Sequence, residues 1–221
     1  MENTHQFLKK LNNNNNREWF DANKNEYLAS KEIFDDFVIE LIKGINKFDK
    51  KVSLDLTPKD CTFRIYKDVR FSKDKTPYKN NMSASINPGG KNSNIPGYYF
   101  HFEPNACFLA GGIYMPLPDI LKAIRQEIDY NPVPLIKVLK SASFKKEFNG
   151  LNEEDKLKNP PKGFDKDHPH SNILKNRHFI VSRKFEDKII FKKEGLSKIL
   201  DSFKLMYPFL EYLRKAIGEN K

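Results

Sequence analysis

"GYYFHFEPNACFLAGGIYM", residues 97–115, is the stretch that decides the fold. From Tyr98 to Glu103, large apolar side chains alternate with more polar ones, which is the period of a strand with one covered face. The pair Pro104-Asn105 is typical of a tight two-residue turn, and the residues after it are again mostly apolar. The stretch therefore predicts a β-hairpin in an antiparallel sheet.

Strand-like and helix-like periods divide the rest of the chain. The two-residue period recurs in CTFRIY (61–66), NMSASIN (81–87) and HFIVSRKF (178–185). Helical apolar stripes precede residue 50 and follow residue 195, and Pro118 is a suitable first residue for another helix. We therefore expect one α+β domain over residues 1–221, with a mainly antiparallel sheet covered on one face by the N- and C-terminal helices.

Composition argues against a membrane protein and against a disulfide framework. No apolar run approaches the roughly 20 residues of a membrane span, and the first ten residues lack the apolar core of a signal peptide. Cys61 and Cys107 are far apart and form no CxxC pair. We expect a soluble, cytoplasmic protein with reduced thiols and no membrane partner.

The net charge of +10 is concentrated in two short segments. Residues 64–79 carry six basic and two acidic side chains, and residues 156–178 carry the same numbers. Each segment thus contributes +4, while the remainder of the chain is nearly balanced. Such a local concentration of cations indicates an anionic partner, either a small molecule or a nucleic acid. Solvated basic loops without a partner are the alternative.

The first of these segments, FRIYKDVRFSKDKTPYK (63–79), contains most of the candidate binding residues. Arginine can hold a phosphate or carboxylate by two parallel hydrogen bonds, and lysine adds point charges. Thr76-Pro77 has the form of a helix start, which would direct free backbone N–H groups at such a ligand. Asp68 and Asp74 are expected to orient the cations; holding a metal ion is the alternative. The predicted ligand-binding side chains are Arg64, Arg70, Lys73, Lys75, Tyr78 and Lys79.

Polar side chains of the predicted sheet are expected to form the floor of the same site. Gly111-Gly112 in the neighbouring strand would leave room for a ligand near the backbone, or would mark a β-bulge. Residues 156–178 would fold back against the first segment and contribute Lys162 and His168 to a shared pocket. The predicted polar face comprises Arg64, Tyr66, Ser83, Ser85, Tyr99, His101 and Glu103, of which His101 is a candidate ligand-binding residue.

These patterns leave open whether the chain is an enzyme. Asp68, Asp74, Glu103 and His168 are the candidates for proton or metal chemistry. No motif of a known metal or nucleotide site accompanies them, so no metal ligand is assigned and no cofactor is identified. A capping or hydrogen-bonded structural role is the alternative for His168.

Three functional hypotheses follow from the charge pattern. The first is a protein that binds a phosphate-bearing or other anionic ligand in a pocket between residues 64–79 and 156–178. The second is a metal-dependent phosphoester hydrolase or nuclease. The third is a nucleic-acid-binding module, because Tyr66, Phe71 and Tyr78 lie among the cations, where bases could stack on them.

Several segments resemble a widespread family of conserved hypothetical proteins from bacteria and some fungi, a domain of unknown function. They are FLKKLNNNNNREWF, FRIYKDVRFSKDKTPYK, PGYYFHFEP, AGGIYMP and LKNPPKGFDKDHP, so the resemblance runs from about Phe7 to the end of the chain. The family pattern in the first basic segment reads R-D-x-R-F-S-x-D-K-x-P-Y-K, and Lys67 stands at its first arginine. The resemblance implies a single-domain α+β protein and supplies no established activity.

Overall fold

A four-stranded antiparallel sheet forms the centre of the computed structural model, which describes residues 1–219. Its strands follow one another in space in the order of the chain, β1-β2-β3-β4. One end of the sheet is marked by the pairing of Met82 with Phe102, and the other by the pairing of Ile113 with Phe179. The strands are β1 (Met82–Ile86), β2 (Gly97–Phe102), β3 (Phe108–Ile113) and β4 (Phe179–Lys184).

Helices from both ends of the chain cover one face of this sheet. The helices of residues 1–219 are α1 (Glu2–Asn13), α2 (Arg17–Ala22), α3 (Lys24–Asn46), α4 (Pro58–Cys61), α5 (Pro118–Tyr130), α6 (Val133–Lys140), α7 (Ala142–Phe148), α8 (Ser171–Leu174), α9 (Lys188–Phe191) and α10 (Gly195–Ala216), and α3 and α10 pack directly on the sheet. Phe34 of α3 stacks on Phe100 of β2 at 6.2 Å, and Phe203 of α10 lies 5.2 Å from Tyr98. The predicted α+β fold class is confirmed, while the single-domain boundary over residues 1–221 stays a prediction. No helix among residues 1–219 is both long and apolar enough to cross a bilayer.

The two faces of the sheet differ in burial, as the alternation in β2 predicts. Tyr98, Phe100 and Phe102 are fully buried beneath the helices and belong to the apolar core, which we call the covered side. On the opposite side, Ser85, Tyr99, Phe108 and Ser182 keep partial exposure, whereas Ser83, His101 and Ala110 are buried. We call that side the open face; in paired rows it carries Ser83, Ser85, Tyr99, His101, Phe108, Ala110 and Ser182.

The β2–β3 hairpin and its two-residue turn at Pro104-Asn105 are confirmed, although the loop that contains the turn is longer than the turn itself. β2 ends at Phe102 and β3 begins at Phe108, so residues 103–107 connect them. The N–H of Ala106 donates to the carbonyl of Glu103 at 3.0 Å, which closes the turn inside this loop. Glu103, the first residue of this loop, lies just beyond the end of β2, on the side where the functional candidates lie.

Candidate functional site

The segment 64–79, which we call the basic loop, is an extended ribbon at the outer edge of β1. The Phe63 N–H donates to the Ser83 carbonyl at 3.1 Å and attaches the segment to the sheet. Two backbone hydrogen bonds close the ribbon: the Lys67 N–H donates to the Pro77 carbonyl at 2.9 Å, and the Lys79 N–H donates to the Ile65 carbonyl at 2.7 Å. The helix predicted to start at Thr76-Pro77 is therefore wrong, because these backbone groups pair across the ribbon. Because no helix begins there, the basic loop also lacks the predicted anion site at a helix N-terminus.

Alternation within residues 61–66 does not continue that of the sheet. This stretch makes isolated bridges at Thr62 and Tyr66 where a regular strand was predicted. The Phe63 ring is 41% exposed and lies 6.4 Å from the ring of Tyr99, so it borders the open face. Tyr66 contacts a ring of α2 instead. Its predicted place on the polar face is wrong, because the chain leaves the sheet before reaching Tyr66.

Asparagines of the N-terminal run anchor the basic loop. The Asn15 side chain donates to the Tyr78 carbonyl at 2.9 Å and accepts from the Tyr78 N–H at 3.1 Å, as a neighbouring strand would. The Tyr78 ring, 3% exposed, stacks on Phe20 at 3.9 Å, so this predicted binding residue lies in the core. α1 ends at Asn13 and α2 begins at Arg17, and the Asn16 side chain caps α2. In the sequence, the anchoring contact is indicated only by the ability of the Asn15 amide to donate and to accept hydrogen bonds.

Both aspartates of the basic loop orient cations, as predicted. Asp68 accepts two hydrogen bonds from the Arg70 guanidinium, at 3.0 and 2.7 Å. Asp74 accepts from Lys67 Nζ at 2.8 Å. These hydrogen bonds, together with backbone N–H donors, lower the pKa of each aspartate. Lys75 Nζ donates to the carbonyl of Val69 at 3.0 Å, so Arg70 and Lys75 both bind their own loop.

Arg64 and Lys79 are in a different situation. Within residues 1–219, neither side chain is in hydrogen-bonding contact with an acid. Lys79 Nζ lies 5.6 Å from the centre of the Phe63 ring, at the border of the open face. Burial lowers the pKa of Lys79, and the charge of Arg64 lowers it further. The charge of Arg64 also contributes to the lowered pKa of Asp68, but no acid in the described chain forms a hydrogen bond with either cation.

A chain of hydrogen bonds follows the open face beside this pair. Tyr99 Oη lies 3.1 Å from His101 Nδ1, and His101 Nε2 lies 2.8 Å from Glu103 Oε2. Asn80 Nδ2 donates to the other carboxylate oxygen of Glu103 at 2.8 Å. The side chains of His101 and Glu103 are 11% and 25% exposed. Burial raises the pKa of Tyr99, which keeps its hydroxyl protonated as a hydrogen-bond donor.

Gly111 and Gly112 make room for the protein itself rather than for a ligand. A Cβ on Gly111 would lie 2.5 Å from Met206 Sδ of α10. Gly112 has φ +134°, and a Cβ there would lie 1.9 Å from the carbonyl oxygen of Phe179 in β4. The interpretation that this pair admits a ligand is therefore wrong, because α10 and β4 occupy the space.

The two basic segments lie at diagonally opposite corners of the sheet. The basic loop leaves the edge strand β1 at the end where Met82 pairs with Phe102. Residues 156–178 lead into the other edge strand, β4, where Phe179 pairs with Ile113 at the opposite end. The two edge strands are about 14 Å apart, at three strand spacings. The predicted shared pocket is therefore wrong, because the strand order separates its two halves.

At the far corner, His168 has partners of its own. Its Nε2 lies 3.0 Å from Asp129 Oδ1, and its Nδ1 accepts from the His170 N–H at 3.0 Å. Lys162 is exposed on the loop before it. This geometry agrees with a hydrogen-bonded structural role for His168, and it places neither residue beside the basic loop.

A polar cleft of about 280 Å³ adjoins the end of the open-face hydrogen bonds. Asn80, which binds Glu103, also lines this cleft. Among residues 1–219, no group of three His, Cys, Asp or Glu side chains is arranged to hold a metal ion. The other lining residues are Lys9, Asn12, Asn13, Pro104 and Asn105.

The arrangement offers two chemical capacities, which are attraction of an anion at Arg64 and Lys79 and proton transfer along Tyr99, His101 and Glu103. Comparison with known proteins identifies the family but adds no activity. A protein-family model described as conserved hypothetical protein (DUF2461) matches residues 3–212. No curated protein and no solved structure matches the chain significantly. The motif of the basic loop and the distribution over bacteria and fungi stay predictions. Since the match covers nearly the whole chain, the protein belongs to the DUF2461 family of conserved hypothetical proteins.

Proposed function

We propose that the protein binds a phosphate-bearing or other anionic ligand where the basic loop meets the open face. The observation that carries this proposal is the pairing state of the loop's cations. Lys67 and Arg70 are neutralised by Asp74 and Asp68, whereas within residues 1–219 no acid forms a hydrogen bond or ion pair with Arg64 or Lys79. An anion is the counterion that this arrangement lacks.

Electrostatics favours such a ligand for two reasons. The ligand would relieve the repulsion between Arg64 and Lys79, which contributes to the lowered pKa of Lys79. It would also accept charge-assisted hydrogen bonds, each of which contributes about 1.5–3 kcal/mol. Arg64 can supply two of these bonds in parallel, which suits the geometry of a phosphate or carboxylate.

The remaining candidates differ in how much they can add. Lys73 is exposed and adds long-range attraction. Arg70 and Lys75 contribute less than the sequence indicated, because Asp68 and the Val69 carbonyl already hold them. Lys162 and His168 lie at the far corner of the sheet and are outside the proposed site.

Calorimetric titration with inorganic phosphate tests the proposal. We expect Arg64→Met and Lys79→Met each to raise the dissociation constant at least about tenfold, since each removes a charge-assisted bond of roughly 1.5 kcal/mol or more. Lys162→Met is the matched control, because it removes the same charge from the other basic segment and should leave binding unchanged. Equal losses in all three variants would mean nonspecific attraction to net charge. Absence of phosphate binding by the unmodified protein would overturn the proposal outright.

A nucleic acid is the second candidate, and one observation favours it. Phe71 at the tip of the basic loop is 97% exposed, and the Arg70 guanidinium lies 5.9 Å from its ring centre. An exposed ring among cations suits stacking on the bases of a single strand. Titration with a single-stranded oligonucleotide should then show affinity that falls linearly with salt on logarithmic axes, and Phe71→Ala should weaken it. The metal-dependent hydrolase stays an untested alternative.

A further inference from the structure

The hydrogen-bonded chain on the open face has the order of a catalytic relay. Tyr99, His101 and Glu103 follow one another at two-residue spacing, so β2 and its extension place them in a row on one side. The two contacts measure 3.1 and 2.8 Å, which is hydrogen-bonding distance for both. A hydroxyl, an imidazole and a carboxylate are the three parts of an activated nucleophile, its base and the group that orients the base.

The direction of proton transfer in this row is determined by the chemistry of its ends. The Glu103 carboxylate can only accept, so His101 Nε2 carries the proton between them. In the neutral imidazole, Nδ1 is then an acceptor, and the Tyr99 hydroxyl must be the donor. His101 is therefore placed to take the proton of Tyr99 while Glu103 stabilises the imidazolium that forms.

Packing holds the base in this orientation. The His101 ring stacks on Phe108 at 4.5 Å with an interplanar angle of 21°. Asn80 fixes Glu103 by donating to the oxygen that His101 does not use. A base locked by stacking and by a hydrogen-bonded carboxylate loses little entropy when the reaction begins.

We propose that Tyr99 is a nucleophile towards phosphoesters, with His101 as its general base and Glu103 as the positioning residue. The Tyr99 oxygen would form a bond to phosphorus as the bond from phosphorus to the leaving alcohol breaks. The phenolic proton passes to His101 Nδ1 and then to the departing alkoxide. Water then attacks phosphorus, and the bond from phosphorus to the Tyr99 oxygen breaks. His101 takes a proton from the water and passes it to the departing Tyr99 oxygen, which releases phosphate and restores the hydroxyl.

The substrate class rests on the proposed function, since Arg64 and Lys79 would hold the phosphate. The ring of Phe63 is close to both the cation pair and the nucleophile, because its centre is 5.6 Å from Lys79 Nζ and 6.4 Å from the Tyr99 ring centre. For Tyr99 to attack phosphorus, the phosphoryl group must lie beside the Phe63 ring, between Lys79 Nζ and the Tyr99 hydroxyl, with the ester substituent directed away from both. Because the step releases an alcohol, the substrate is an ester rather than free phosphate.

Labelling with phenylmethanesulfonyl fluoride tests the activation of Tyr99 without a phosphate ligand. An activated tyrosine forms an oxygen–sulfur bond and expels fluoride while its base takes the proton. Mass spectrometry of peptides gives the labelling rate at Tyr99 and at Tyr130, which is an internal control with 84% exposure. We expect Tyr99 to react at least about a hundredfold faster, the lower range for general base catalysis. A rate at Tyr99 equal to or below that at Tyr130 would overturn the inference.

Two variants separate activation from simple structure. His101→Asn should reduce labelling at Tyr99 to the level of Tyr130 and leave Tyr130 unchanged. Glu103→Gln should slow Tyr99 and alter the ¹⁵N shifts of His101, because the carboxylate that selects the Nε2–H tautomer is gone; Glu103→Asp should restore part of both. Unchanged labelling in His101→Asn would overturn the inference, and if that variant does not fold, the ratio in the unmodified protein decides. Slow labelling together with phosphate binding that depends on Lys79 would remove this inference alone and leave the proposed function standing.

Discussion

Tyr98 and Tyr99 are neighbours in β2, and each belongs to a polar cluster on a different side of the sheet. On the covered side, the Tyr98 hydroxyl donates to Asp49 Oδ2 at 2.9 Å, and Arg214 Nη1 donates to the same oxygen at 2.7 Å. The side chains of Asp49 and Arg214 are 1% and 0% exposed. On the open face, the partly exposed Tyr99 instead contacts His101, whose side chain is 11% exposed.

Burial gives the two clusters different capacities. Burial and the charge of Asp49 raise the pKa of Tyr98 far above its ordinary range, so its proton stays in place at any physiological pH. The ion pair of Asp49 with Arg214 joins the segment after α3 to α10, and it is sealed from substrates. The Tyr99 cluster likewise joins a tyrosine to a carboxylate, through His101, and its Tyr99 and Glu103 keep partial access to solvent. Similar polar chemistry therefore serves stability on one side of a single strand and is available for reaction on the other.

Arg214→Met should give the largest effect and tests the sealed half of this comparison. It leaves the Asp49 carboxylate buried beside Tyr98 without its cation, which typically costs about 3–5 kcal/mol in the free energy of unfolding. Urea denaturation measures the loss. The matched control is Arg183→Met, because Arg183 pairs with Glu147 at 2.6 Å with its side chain 33% exposed, and its loss should be clearly smaller.

A second variant distinguishes an unpaired charge from a simple packing defect. Within residues 1–219, Arg214 Nη2 has no hydrogen-bond partner, so the native pair is imperfectly satisfied. Adding Asp49→Asn to Arg214→Met should recover part of the lost stability, since no uncompensated charge then remains. A double variant less stable than Arg214→Met alone would contradict this account of the covered cluster.

The sequence predicted which side of the sheet each tyrosine of β2 faces. Alternation alone assigns Tyr98 to the core and Tyr99 to the polar side, and both assignments are confirmed. The pairing of Asp49 with Arg214 could not be predicted in this way, because the two residues are 165 positions apart and neither lies in a periodic strand. Hydrophobic period indicates a face, but it carries no information about distant partners.

The same limit explains the error about the shared pocket. Charge counts identified both basic segments correctly, but the edge of the sheet to which each segment belongs depends on strand order. Nor does a glycine pair reveal what fills the space beside it, which at Gly111 is Met206. The pairing of Asp68 and Asp74 with loop cations was predictable because it is local. Long-range neighbours, and with them the limits of the site, required the structure.

Removing one hydroxyl at a time gives the smallest effect and compares the two sides most directly. Tyr98→Phe deletes a donor to the buried carboxylate of Asp49, which should cost about 1–3 kcal/mol in the free energy of unfolding. Tyr99→Phe deletes a donor that water can replace on the partly exposed face, so stability should change by no more than about 0.5 kcal/mol. Urea denaturation of both variants gives the comparison. Equal losses would mean that the open-face cluster is as sealed as the covered one, and solvent access to Tyr99 could then no longer distinguish a reactive side from a structural one.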